Sequence, residues 1–269
     1  MKLNEKGNLK YYTFENIEKT NMVKHCFSTK FGGVSKGFYE SMNLSFRDDI
    51  KENVIKNYEI ICSGIGVDYK NVVFSSQIHE DKIYKVTKED VGKGLLRQSN
   101  IKGYDALITN EKDIVLVTFY ADCVSIFIVD PINKAIGIAH SGWRGTVREI
   151  GAKTIKQMNK TYGSNAKDLI VGIGPSIEKC CFQVGKEVVE TFKKDLPFSE
   201  KYIFNDTIKD KYKIDLQGII KQTMINSGVL EKNIEVSGLC TMCNNEMFFS
   251  HRFMGNERGS LAGIISINN

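Results

Sequence analysis

The stretch ADCVSIFIVDPINKAIGIAH, residues 121–140, constrains the fold more than any other part of the chain. Two short apolar runs rich in β-branched residues flank DPIN, where Pro131 presets the turn dihedral and Asp130 and Asn133 sit on either side. The segment reads as a β-hairpin. If Asp130 faces Asn133 across the turn, the same register sets Cys123 directly opposite His140, with Cβ atoms about 4.5–5.5 Å apart on one face. A thiolate and an imidazole at that spacing can share one metal ion, and His79 in SSQIHED offers a third ligand. Three protein ligands leave one tetrahedral position open, the arrangement of a catalytic site. A slip of one residue would put Cys123 and His140 on opposite faces, so the metal reading depends on the register. The alternative is a hydrogen-bonded surface histidine and a cysteine acting as a small core hydrophobe.

The rest of the chain alternates strands with helices. VKHCFST, VVFSSQIH, KIYKV, DALIT, IVLVTFY, DLIVGIG and SLAGIISI are strand-like. Ile50, Val54, Tyr58, Ile61, Cys62 and Ile65 recur at helical spacing, between an Asp49–Glu52 capping box and a stop at Gly64 and Gly66. A second helix is expected from Thr146, boxed by Glu149, with Val147, Ile150, Ile155, Met158 and Tyr162 buried. GKEVVETFKKD and DLQGIIKQTMINSG read as later helices, the second capped by Asp215. Consecutive strands followed by helices point to an α/β fold with mixed or antiparallel sheets rather than a doubly wound parallel one. No repeat, low-complexity tract or linker interrupts residues 1–269, which are expected to form a single domain.

Composition excludes several classes. Apolar residues at 42% and charged ones at 26% are ordinary for a soluble globular chain. The net charge of +5 is spread among interspersed acids and bases, with no nucleic-acid arm or motif. No apolar run reaches membrane-spanning length, and MKLNEKGNLKYYTFE lacks the apolar region of a signal peptide. Seven cysteines, an odd number, do not form a disulfide framework, so a cytoplasmic protein with reduced thiols is expected. Other metal motifs fail. HEDKI lacks the second histidine of a zincin, and the His-x-Glu with Pro-Cys-x-x-Cys of nucleobase deaminases is missing. Cys240 and Cys243 form a Cys-x-x-Cys without a second such pair, so they read as structural thiols.

The basic residues comprise 31 lysines and only six arginines, four of them in or beside glycine-rich segments: Arg144 and Arg148 in SGWRGTVRE, Arg252 and Arg258 in FSHRFMGNERGS. Arg47 lies in the long loop before the first helix. Clustered arginines in so lysine-rich a chain either present a planar fork to phosphate or carboxylate or tie loops down through carbonyls. VGIGPSIEKCCFQVG ends a strand in a glycine-rich turn that could cradle an anion, though it is neither a Walker loop nor a dinucleotide fingerprint.

Taken in order, CFSTKFGGVS, SMNLSFRDD, SSQIHED, DALIT, ADCVSIFIVDP, IGIAHSGWRGT, IGPSIEKCCFQVG and FFSHRFMGNERGSLAGI resemble the motifs of the YfiH/YlmD-type laccase-domain family, also called multicopper polyphenol oxidoreductase or peptidoglycan editing factor. The resemblance runs from about Val23 to Ile267. It implies one α/β domain of packed mixed sheets flanked by helices, layered α/β/β/α. It also implies a zinc or copper site at His79, Cys123 and His140, and phosphorolysis of adenosine, inosine, guanosine and methylthioadenosine with accompanying adenosine deamination. The expected partners are therefore purine nucleosides and phosphate, not nucleic acid or a membrane. Two positions depart from the family pattern: Lys30 stands where arginine often follows FST, and SHRF replaces the more usual SYRR.

On this reading Arg144, Arg252 and Arg258, with Lys30, are anion-clamp candidates, and Gln77 and Asn43 are candidates for orienting base or ribose. Asp122 is either an acid–base group or a turn residue. Trp143 and Arg144 form part of the pocket, beside a helix N-terminus at Thr146 that supplies anion-binding donors. Multicopper laccase chemistry is excluded by count: of four histidines two belong to the triad, and His25 and His251 cannot build a trinuclear cluster. Two further functions stay open, a Cys123–His140 nucleophile–base dyad of amidase type and a cell-wall-editing role.

Overall fold

In the computed structural model, which describes residues 1–268, two six-stranded sheets pack face to face. One runs, edge to edge, through Lys2–Lys6, Leu9–Thr13, Val23–Ser28, Leu261–Ile267, Val115–Tyr120 and Val72–Phe74. The other runs through Ile234–Val236, Ile170–Ile173, Val124–Asp130, Ala135–Ser141, Ala106–Thr109 and Ile83–Lys85. A small antiparallel sheet joins Gln183–Gly185, Lys211–Ile214 and Ile203–Asn205. The large sheets are mixed, because Val72–Phe74, Ile83–Lys85 and Ile234–Val236 add in parallel to otherwise antiparallel ladders.

The layers follow from which faces are apolar. Phe27, Leu116, Phe127, Val129, Ile138 and Ile265 fill the space between the sheets. Helix Lys51–Ile65 lays Val54, Tyr58 and Ile61 over the outer face of the first sheet. Helices Ile150–Tyr162 and Leu216–Asn226 cover the outer face of the second, with Met158 and Ile219 in the core that contains Ile126 and Ile128. The result is the α/β/β/α architecture. Central strands covered on both sides explain the unbroken apolar runs, since every residue of Val124–Asp130 and Ala135–Ser141 is buried. Truncating the fully buried Phe127 to alanine costs about 3–5 kcal/mol.

The central hairpin forms, but two residues out of the expected register. Asp130 pairs with Ala135, and Ser125, not Cys123, lies opposite His140. The turn is wider because Asp130 is buried and its carboxylate accepts the backbone N–H groups of Ile132 and Asn133 (2.9 and 3.0 Å) and the Asn133 amide (2.9 Å). A two-residue shift keeps parity, so Cys123 stays on the His140 side of the sheet.

Both capping boxes fail. Ile50 is the N-cap of the first helix with no side-chain bond, while Asp49 Oδ2 accepts from Ser35 and Asn43. Gly66, at φ +79°, ends that helix as expected. The second helix is two pieces, Trp143–Val147 and Ile150–Tyr162, broken at Glu149 with φ +56°. Thr146 Oγ1 donates back to the Gly142 carbonyl (3.0 Å), so the first piece begins three residues earlier than expected. Asp215 caps its helix through the Gly218 N–H (2.8 Å). Among the described residues no helix is long and apolar enough to cross a membrane, and all seven cysteines are free.

Candidate active site

His140 ends the inner strand of the hairpin, 3% exposed, with its backbone N–H on the Asp105 carbonyl at 2.7 Å. Its Nδ1 lies 2.8 Å from Asp105 Oδ1; an ionised carboxylate only accepts, so Nδ1 carries the proton and Nε2 faces the other way. Cys123 arrives from the neighbouring strand, just past a chain reversal at Asp122 (φ +89°). His79 comes from the loop after Val72–Phe74, and its ring stands edge-on to His140 at 4.8 Å between centroids. One ligand atom of each of the three residues lies within 4.8 Å of the others.

Asp105 organises this centre. Fully buried, it accepts the backbone N–H groups of Ile78, His79 and Glu80 at 3.0–3.1 Å while facing His140. Burial alone would raise its pKa, but the His140 contact and the converging amides hold it below the ordinary carboxylate value. Those three amides keep His79 at φ +63°, a backbone shape that residues with a Cβ rarely adopt. Burial likewise favours a neutral Cys123 thiol, yet His140 and His79 outweigh it and lower its pKa; His140 is raised in turn by Cys123 and Asp105. The two imidazoles therefore favour the thiolate form of Cys123.

A metal fits this donor set on two observations. Thiolate plus two imidazoles is a zinc or copper set, with a carboxylate orienting one imidazole from behind. Gly142 also leaves room among the ligands: a Cβ there would sit 3.1 Å from Cys123 Sγ and 3.1 Å from His79 Cδ2.

Two clefts, of about 340 and 470 Å³, meet at His79 and Cys123 and share Arg47 and Arg258. The first is walled by Phe46, Phe74, Phe119 and Tyr120, with Phe74 and Phe119 edge-to-face at 4.9 Å. The second is lined by Trp143, Arg144, Phe182, His251 and Arg252. Arg258 is half-buried; its Nη1 donates to the Gly259 carbonyl (3.0 Å) and reaches the Ser260 hydroxyl (3.5 Å), while its Nε has no partner among the described residues, and burial and the nearby Arg47 both lower its pKa. An anion would relieve both effects.

The sequence-derived candidates divide. Arg144 stacks on Trp143 at 4.4 Å, makes no ion pair among the described residues and faces the cationic cleft. Gln77 lines the aromatic cleft, but both ends of its amide clamp the Phe119 backbone (2.6 and 3.1 Å). Arg252 borders the second cleft while its guanidinium donates to the carbonyls of Cys181 (3.1 Å) and Gln183 (3.2 Å). Lys30 and Asn43 are not brought to either cleft. Lys30 Nζ donates to the Asn245 carbonyl (2.8 Å), and buried Asn43 ties Ser45, Asp49 and Ser260 together. Asp122 has both oxygens engaged at 2.6 Å, one by the Thr241 hydroxyl and one by the Arg252 N–H, which is bracing geometry. Asp105 carries no signal in the sequence: in DALIT it looks like the polar edge of a strand, and only its place one residue before a strand paired to the His140 strand marks it.

A family model described as multi-copper polyphenol oxidoreductase laccase matches residues 24–268. A Bacillus subtilis protein named purine nucleoside phosphorylase YlmD is 37% identical over 243 residues, covering 90% of this chain and 87% of its own. A Bacteroides thetaiotaomicron purine nucleoside phosphorylase is 31% identical over 257 residues, 95% of each chain. The crystal structure of YlmD from Geobacillus stearothermophilus superposes with a TM-score of 0.92 at 28% identity, covering 99% of both chains.

Proposed function

Because the chain belongs to the multi-copper polyphenol oxidoreductase laccase family, whose relatives above are named purine nucleoside phosphorylases, we propose that it is a purine nucleoside phosphorylase with its site where the two clefts meet. The observation that carries this is the junction itself: an aromatic cleft suited to a purine and a cationic cleft suited to phosphate open onto one Cys–His centre. The substrates are adenosine, inosine, guanosine and methylthioadenosine, with adenosine deamination as a second activity. The chain works as a single cytoplasmic domain.

His79, Cys123 and His140 would hold zinc, with copper as the competitor, and the bound ion would supply Lewis acidity at the junction. The protein's own groups do the positioning. Phe74 and Phe119 offer π faces to the base, and Gln77 fixes that wall by pinning Phe119. Arg47, Arg144 and Arg258 hold phosphate, whose oxygen attacks C1′ of the ribose. The bond from C1′ to the purine nitrogen breaks, its electron pair leaves with the base, and the base takes up the proton that the attacking hydrogen phosphate gives up, giving free purine and the sugar 1-phosphate. Holding both reactants in line removes much of the entropic barrier.

One observation favours a second reading. Asp105, His140 and Cys123 form a carboxylate–imidazole–thiolate line like that of a cysteine hydrolase. It leaves His79 and its strained backbone without a role. Product analysis with adenosine and inosine, with and without phosphate, separates the two. We expect phosphate-dependent release of free base that disappears in Cys123→Ser. Inosine made from adenosine without phosphate would move the weight to deamination. No turnover, with rapid alkylation of Cys123, would favour the hydrolase.

A further inference from the structure

We propose that Cys180, Cys181, Cys240 and Cys243 together bind a second zinc ion, which braces the two loops that carry one wall of the cationic cleft. The four sulfurs come from segments some 60 residues apart and lie within 4.8 Å of one another. Cys243 Sγ is 3.5 Å from Cys180 Sγ and 3.4 Å from Cys181 Sγ. Four thiolates at about 2.3 Å from a tetrahedral zinc stand about 3.8 Å apart, so a small contraction of the widest pairs completes the site. A disulfide would need about 2.05 Å.

The backbone around the cluster is shaped to present sulfurs inward. Residues 178–183 form a tight turn in which Cys181 and Phe182 N–H groups donate to the Glu178 carbonyl (2.9 and 2.8 Å) and Gln183 N–H to the Cys181 carbonyl (2.9 Å). This turn lets adjacent cysteines aim at one point. The Cys240-Thr-Met-Cys243 turn closes on the Cys240 carbonyl, which accepts from the Asn244 backbone (3.0 Å) and side chain (2.7 Å). Two further backbone bonds, Thr241 N–H to Ser176 and Ser176 N–H to Leu239, already stitch the loops together. All four sulfurs are then explained by one ion, which displaces their protons on binding.

The brace also has a reason to be there. The first loop supplies Ile177 and Phe182 to the cationic cleft, and the second leads into His251 and Arg252. Arg252 reaches back to the Cys181 and Gln183 carbonyls, and Thr241 holds Asp122 beside Cys123. Cys243 and Cys180 are exposed, so without a metal nothing shields them from alkylation.

The test uses zinc analysis and iodoacetamide footprinting of the full chain. In Cys123→Ser, which removes the other thiolate ligand of the candidate active site, we expect one zinc per chain to remain. Its cobalt-substituted form should show the thiolate-to-cobalt charge transfer and intense visible bands of a tetrahedral tetrathiolate site. Adding Cys180→Ser should abolish both. On the wild-type chain, so that no variant needs to fold, the four cysteines should be protected together and become reactive together after chelation. Immediate alkylation of Cys180 and Cys243 with no loss of zinc overturns the proposal. So does a metal-free protein two mass units light, which would make the cluster a disulfide pair.

Discussion

The two clusters of sulfur and nitrogen donors in this protein are opposites in construction. Cys123 and His140 sit at the end of a double sheet, on the central hairpin, and an exposed His79 joins them from a loop that Asp105 fixes from behind along with the His140 ring. Cys180, Cys181, Cys240 and Cys243 sit on two turns with no carboxylate behind them and half their members exposed. Three ligands beside two clefts leave a coordination position for chemistry, whereas four sulfurs close the shell and leave only a brace. A strand and a carboxylate-pinned loop carry the reacting centre, and the two cysteine turns need a clasp of their own to carry its wall.

Removing one ligand from each region should break that symmetry most. Cys123→Ser should reduce phosphorolysis to background while the four-cysteine zinc stays, measured by base release and metal content. Next comes Asp105→Asn, which keeps shape but loses the negative charge behind His140. We expect a fall of about 10–100-fold in metal affinity or turnover, read by zinc competition and initial rates. Asp105→Ala should in addition leave buried amides unpaired and destabilise the fold by about 3 kcal/mol, read by denaturant unfolding.

Acid titration supplies the background against which both regions must be judged. His25 is buried, accepts the Phe14 N–H at Nε2 (2.8 Å), and burial lowers its pKa from 6.5 to about 4. The folded state therefore binds this proton less readily than the unfolded state. Its stabilising effect is intact above pH 6.5 and is lost as pH falls towards 4, about 3 kcal/mol in all. Denaturant unfolding across that window should show the slope, and His25→Gln should flatten it.

A smaller effect separates the arginines. Arg258→Lys should raise KM for phosphate about tenfold, a loss of about 1.4 kcal/mol, because lysine lacks the planar fork. Arg252→Lys should chiefly lower the thermal midpoint, since both its terminal nitrogens serve loop carbonyls, whereas Arg258 gives only Nη1 to its loop and keeps Nε free. Equal KM effects from the two would erase the distinction between clamp and tie.

Legibility followed the range of the interaction. The apolar runs declared the central strands, while the more polar Lys2–Lys6, Leu9–Thr13, Ile234–Val236 and the three-stranded sheet gave no such signal; the even-numbered register error left Cys123 on the right face because side chains alternate with period two. The hairpin turn was misjudged because Asp130 bonds its own loop, a choice that its burial decides. Both capping boxes matched a short pattern, yet Asp49 is committed to Ser35 and Asn43, and Thr146 bonds one turn back to the Gly142 carbonyl inside a helix that has already begun. Arg252 and Asn43 have chemistry suited to a ligand, and in the fold their polar atoms also bond protein groups, Arg252 at the border of the cationic cleft and Asn43 away from it. Cys240 and Cys243 lacked a second Cys-x-x-Cys in the sequence because their companions are the adjacent Cys180 and Cys181, which tertiary packing alone brings near.

The most direct measurement is zinc content and inosine phosphorolysis determined on the same samples of wild type, Cys123→Ser and Cys243→Ser. We expect two zinc ions per chain in the wild type and one in each variant, with base release lost in Cys123→Ser and retained, at a raised KM for phosphate, in Cys243→Ser. Phosphorolysis that survives in Cys123→Ser, or that follows the ion at Cys243 instead, would contradict the placement of the chemistry at His79, Cys123 and His140.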